Sequence, residues 1–259
     1  MNKVVKANAL IEASYRLTLA ETRVILSAIA QVRRDEAPTD EVLYEVRANA
    51  LADVSGIAAK KAYEQLKDAA QKLESRRIRL YEGPNGRKSP RVTSTCWVQT
   101  VVYIPDEGRV ELRFSRDVLP YLSQLREQYT RYELENVAGM RSTHGVRLYE
   151  LLVQWRAHGE REIEIDEFRR LFGIEGRYPS VKDLKKYVLV PAVRDVNECS
   201  DLYVDYGQAK RGRRVSAFQF RFWPKKDDKP PEPTKAQIEA YAAPGDTWER
   251  AKEKARRGR

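Results

Sequence analysis

Cysteine and histidine are scarce in this chain. Two cysteines in 259 residues, Cys96 and Cys199, exclude a disulfide framework and a cysteine-rich zinc site. The two histidines, His144 and His158, fall in or beside helical stretches, and no His-x-His pair occurs. That excludes the histidine-held metal a tyrosine-nucleophile nicking enzyme needs, despite fourteen tyrosines. No apolar run approaches the length of a membrane span. The amino-terminal MNKVVKANALIEASYRL has no signal-peptide core, so a soluble cytoplasmic protein with no membrane partner is expected. No G-x-x-x-x-G-K-[ST] loop is present to cradle a nucleotide; GPNGRKSP has the wrong spacing and reads as a hairpin turn. Asp53, Asp166 and Glu167 sit at helix starts, where capping explains them. No catalytic residue, cofactor or metal is expected.

Positive charge is what the chain has in excess. Lys and Arg total 48 against 38 Asp and Glu, a formal charge of +10. A polyanionic partner fits that balance. Residues 224–259 hold five of the twelve prolines and few apolar residues. They read as a basic, mostly disordered tail with a short helix near Trp248–Arg256. Their ten basic and seven acidic residues supply the minor share of the charge, so the larger share lies on the folded part.

That folded part repeats itself. TLAETRVILSAIAQV carries a capping box, Thr18 with Glu21, ahead of Ile25, Ile29 and Val32 at helical spacing. A strand, VLYEV, and helices over roughly 49–55 and 58–76 follow. Three alternating segments come next, RIRLYEG, RVTSTCWVQTVVYI and RVELRF. Residues 115–140 read as helical, broken at Pro120. The second half opens with STHGVRLYELLVQWRAHG and continues with a strand, REIEI, two helices and a hairpin, LYVDYGQ with RRVSAFQFRFW. YEVRANALADVSGI and REIEIDEFRRLFGI align at a constant offset of 117, with Asn49 and Asp166 as N-caps and Gly56 matching Gly173.

Helix, turn, helix, hairpin is the layout of a winged helix. The expected fold class is α+β, two tandem winged-helix domains. The domains are 1–125 and 141–223, joined by a connecting helix over 126–140 and followed by the tail, 224–259. In the second half, SVKDLKKYVLVPAVRDVNE is the candidate reading helix. Val181, Leu184 and Val188 share its buried face, while Lys182, Lys185 and Lys186 fall together on another flank. Arg194 lies further along, beyond the kink expected at Pro191. AKRGRR would form the wing tip, with Gly212 turning the chain and Lys210, Arg211, Arg213 and Arg214 facing phosphates. In the first half Lys61 points outward beside interleaved acids, and Arg87 and Lys88 of the GRKSP turn are further contacts.

Three stretches resemble the plasmid replication initiator (Rep) family that binds iterons at plasmid origins. They are VVKANALIEASYRLTLAETRVILSAIAQV, RSTHGVRLYELLVQW and YPSVKDLKKYVLVPAVRDVNECSDLYVDYGQAKRGRRVSAFQFRF. The resemblance implies a pseudo-two-fold pair of winged helices that binds direct repeats in double-stranded DNA as a monomer. It further implies origin opening, recruitment of host replication proteins such as initiator and helicase, and a homodimer that represses its own gene. It places Lys182, Lys185 and Lys186 in the groove and Lys210 to Arg214 on the backbone. The chain departs at Tyr187, where some members have another basic residue. The alternative is a winged-helix transcriptional regulator using the same helix and wing.

Overall fold

The first helical core begins at Thr18, whose extended backbone ends the preceding segment and whose side chain caps the next. In a computed structural model describing residues 3–33, 39–49, 59–83, 91–123, 128–226, 238, 241–243 and 246–257, the capping box is complete. Thr18 Oγ1 accepts the Glu21 amide at 3.3 Å, and Glu21 accepts the Thr18 amide at 3.0 Å. Glu21 is fully buried and also takes a two-pronged contact from Arg76, 2.9 Å on each arm.

In chain order the first half contains β1 (Lys3–Ala7), α1 (Asn8–Ile11), β2 (Ser14–Tyr15), α2 (Leu19–Ile29), β3 (Tyr44–Arg47) and α3 (Ala59–Leu73). Strands β4 (Arg77–Glu82), β5 (Arg91–Cys96), β6 (Val98–Ile104) and β7 (Arg109–Phe114) follow. They form two small antiparallel sheets, β2-β4-β5 and β3-β7-β6. The run RVTSTCWVQTVVYI, which alternates like one strand, divides at Trp97. The indole is fully buried and packs edge-on against Tyr15, and at Trp97 the chain passes from one sheet to the other. Residues 84–90 of the GPNGRKSP turn lie outside the described residues, as do 50–58 with Gly56.

The connecting helix expected over 126–140 is not what forms. The chain extends as β8 (Tyr129–Glu133), then makes one helical turn, α4 (Glu135–Ala138). Thr130 and Tyr132 are buried while Tyr129 and Arg131 face out, a period of two that suits a strand. β1 supplies the antiparallel edge it pairs with. Pro120 lies in a 3-10 turn, Leu119–Tyr121.

The second half runs α5 (Thr143–Val153), β9 (Glu160–Glu164), α6 (Ile165–Leu171), α7 (Val181–Leu184), a π-helical turn (Lys185–Leu189), α8 (Val190–Cys199), β10 (Leu202–Arg211) and β11 (Arg214–Pro224). Its sheet order, β9-β11-β10, has the same pattern as β3-β7-β6. Helices begin at Ala48 and Ile165, at the 117-residue offset of the sequence repeat. Asn49 and Asp166 therefore stand inside the first turn and are not N-caps; Glu164 holds the N-cap position of α6, with no capping hydrogen bond from its side chain. Asp166 pairs with Arg169 instead.

Two glycines set distances between elements. Gly145 lies in α5, where an added Cβ would sit 2.5 Å from the Asp195 Cβ on α8. Asp195 uses that proximity to cap α5, accepting from the Ser142 amide (2.8 Å) and hydroxyl (2.7 Å). Gly145→Ala should therefore destabilise the protein by about 1–3 kcal/mol through overpacking, read as a lowered thermal midpoint. Gly173 has φ +61°, and a Cβ there would meet the Tyr15 carbonyl oxygen at 2.3 Å, so it both turns the chain and lets the halves touch.

The halves are locked by charge as well. Lys6 of β1 donates to Glu150 of α5 at 2.6 Å, both essentially fully buried. Tyr132 donates to the same carboxylate at 2.5 Å. Arg147 reaches the Tyr15 hydroxyl (2.9 Å), the Ala13 carbonyl (2.5 Å) and the Leu171 carbonyl (2.8 Å). In the tail, the helix expected near 248–256 is present as α9 (Trp248–Arg257), with Ala251 and Ala255 buried beside Ile238 and Tyr241. Residues 227–237 lie outside the described set.

Candidate nucleic-acid interface

The reading helix is aimed by the turn in front of it. After α6 the chain passes Gly173 and Tyr178, both with positive φ. Arg169 ties this turn down, donating to the carbonyls of Tyr178 (3.1 Å) and Pro179 (3.2 Å). Arg169 stands where a small residue would favour close helix packing, and it works as a staple for the turn. Leu184, Val188 and Leu189 are fully buried and seat the helix on the core.

Pro191 does not end the helix. The five residues Lys185–Leu189 wind as a π turn directly before α8, with Pro191 in its first turn. A proline has no amide to give to the preceding turn, and the wider π winding accommodates that gap. Lys185, Lys186 and Tyr187 ride on this bulge. Lys182 and Lys186 are exposed; Lys185 is half-buried and reaches Gln208 of β10 at 3.4 Å, tying helix to wing. Tyr187 is 53% exposed, stacks over Tyr178 at 6.1 Å and lies 5.0 Å beneath the Lys186 ammonium. Arg194 is exposed, beside Glu198 at 4.0 Å, so an acid already shares its charge.

The wing has the expected form. β10 and β11 pair from Leu202↔Pro224 to Arg211↔Arg214, with a register shift at Ala209/Lys210. Gly212 turns the tip at φ +64°. Lys210, Arg211, Arg213 and Arg214 are all exposed. None of the four has a carboxylate partner among the described residues. Four uncompensated cations on a two-stranded arm suit contact with phosphates.

The first half is different. Lys61 is exposed on α3, but Lys72 of the same helix is held by Asp68 at 2.6 Å. Arg87 and Lys88 lie outside the described residues. Topology identifies β6–β7 as the counterpart of the second wing, with β4–β5 in a separate sheet. The β6–β7 tip reads Pro105-Asp106-Glu107-Gly108 and is acidic. At its base Arg109 is enclosed by Glu45, Glu107 and Glu111. This acidic tip was missed because its role follows from strand order, although the residues themselves are plain in the sequence.

Among the described residues no group of histidine, cysteine and acidic side chains could hold a metal ion. No described helix is long and apolar enough to cross a membrane. Two family models match. Residues 3–153 match "Initiator Replication protein, WH1" and residues 164–222 match "Initiator Rep protein, WH2". A "Replication initiation protein" of Escherichia coli is 32% identical over 228 residues, covering 84% of this chain and 68% of the relative. The "PI protein" of Escherichia coli is 24% identical over 250 residues, covering 85% of this chain and 82% of the relative. The crystal structure of the Pi initiator protein in complex with iteron DNA superposes with a TM-score of 0.71 at 23% identity, over 87% of this chain and 98% of that one. The chain belongs to the replication initiator family built from two winged-helix domains, WH1 and WH2.

Proposed function

We propose that this initiator binds directly repeated sites, iterons, in the double-stranded DNA of a plasmid origin, and that its second domain is the main reader. The observation that carries this is the contrast between the two wings. The second bears four exposed cations without acidic partners among the described residues, beside a lysine flank with Lys182 and Lys186 exposed, and the first bears Asp106 and Glu107. The solved Pi complex with iteron DNA supports the same mode for a relative of like fold. Lys182, Lys185 and Lys186 enter the major groove, with Tyr187 between them and the turn. Lys210, Arg211, Arg213 and Arg214 hold phosphates. Arg194, Lys61, Arg87 and Lys88 are auxiliary contacts. The first domain, 1–125, adds dimerisation, and the second, 141–223, adds sequence reading.

Function follows from binding and not from catalysis: the bound monomer opens the origin and recruits the host initiator and helicase. A homodimer in equilibrium with it represses the protein's own gene. The site of action is the plasmid in the bacterial cytoplasm. The test is capture of fragments from the protein's own replicon, with competitor DNA, across a salt titration. Recovery of tandem direct repeats at moderate salt is the expected result. Recovery of only a promoter palindrome would identify a regulator instead.

A further inference from the structure

A second positively charged feature lies between the domains, away from the reading helix and wing. It is a cleft of about 460 Å³, within the size range of small-molecule sites. None of the reading-helix lysines or wing cations lines it. Its walls come from Tyr15–Thr18 and Arg76 in the first domain, and from the start of α5 and the Phe172–Tyr178 turn in the second.

Four arginines line this cleft against one carboxylate, Glu150. Two of the arginines are already committed, Arg76 to Glu21 and Arg147 to its three oxygen acceptors. Glu150 is answered by Lys6 behind it. Arg16 and Arg177 are left over. Both are exposed, they belong to opposite domains, and neither has a carboxylate partner among the described residues. Arg177 lies only over its neighbour Tyr178, at 5.4 Å. His144 lines the same cleft, and its imidazole is held below its ordinary range by burial first and then by these two guanidinium groups. Thr143 and His144 open the eleven-residue helix α5, and their amides fall outside the intrahelical ladder, while the Asp195 carboxylate already offsets the charge of the helix end behind them. Phe172 and Tyr178 add an aromatic wall.

We propose that this interdomain cleft binds a phosphorylated small molecule of nucleotide size, its di- or triphosphate clamped between Arg16 and Arg177 over the amino end of α5. Unpaired guanidinium groups in a concave site match phosphate oxygens in geometry as well as charge. Since the arginines come from different domains, an occupant bridges them. The inference does not rest on the DNA-reading assignment.

The test uses the full chain without DNA, titrated with inorganic pyrophosphate and separately with ADP, and reads the two histidine signals by proton NMR. An anion in the cleft favours the charged imidazole, so the His144 signal should move saturably toward its protonated position while that of exposed His158 stays put. Replacing both arginines, Arg16→Ala with Arg177→Ala, should weaken binding by roughly tenfold or more per arginine. Lys185→Ala with Lys186→Ala should leave it unchanged. Three results would overturn the proposal: no saturable His144 shift with either probe, a shift that survives in the arginine variant, or a shift lost in the lysine variant. The last would place the anion on the DNA-reading face.

Discussion

Glu150→Ala should cost about 3–5 kcal/mol of stability, the range for removing one partner of a buried ion pair. Lys6 and Glu150 are 2% and 1% exposed. Take the carboxylate away and the Lys6 ammonium stays buried without an anion, Tyr132 loses its acceptor, and Arg147 loses its neighbour at 3.6 Å. The loss falls on the junction of β1, β8 and α5, because Lys6 and Tyr132 lie on β1 and β8 and Glu150 on α5. The urea midpoint measures it. Burial alone would raise the Glu150 carboxyl, but Lys6 and Arg147 overcome burial and hold it below the usual carboxylate range. Its folded value is then the lower one, so ionisation favours the folded state. That stability is full above the unfolded value of about 4.3 and is lost as pH falls through the folded value. Glu150→Gln should therefore flatten the acid side of the stability profile.

Arg211→Ala with Arg213→Ala should weaken binding to every duplex, whatever its sequence, by roughly a hundredfold at low salt. It should also make the plot of log affinity against log salt shallower by about 1.8, the share of two phosphate contacts. The reason is local. The wing tip projects two exposed guanidinium groups on either side of Gly212, with no acid to neutralise them among the described residues. Their charge is available to displace counterions from DNA. The effect belongs to affinity and not to sequence choice, because phosphates are the same at every base pair. Anisotropy titrations at several salt concentrations separate the two terms.

What the sequence made legible follows short-range rules. The Thr18–Glu21 capping box, the Gly173 and Gly212 turns, and the buried stripe of the reading helix each depend on neighbours a few residues apart. The repeat at 117 residues was legible as well, and it recurs as matched helix starts and matched sheet orders. What was not legible depends on distant partners. Tyr129–Glu133 became a strand because β1, more than a hundred residues earlier, offers it an edge. The alternation through Trp97 broke because two sheets share that indole as core. The Lys6–Glu150 pair spans 144 positions, and no spacing rule reaches that far. Of the candidate contacts, the second-domain set gathers on one helix and one hairpin. The first-domain set is divided between an exposed Lys61 and a turn outside the described residues.

The central assignment is that the lysine flank of the π turn reads bases. Its most direct measurement is the ratio of affinities for a cognate repeat and a scrambled duplex of equal length, at one salt concentration. Wild-type protein is compared with Lys185→Ala plus Lys186→Ala. The expected result is a ratio lowered by about tenfold or more, with a much smaller loss of non-specific binding. An unchanged ratio, with both affinities falling together, would contradict the assignment and reduce those lysines to phosphate contacts.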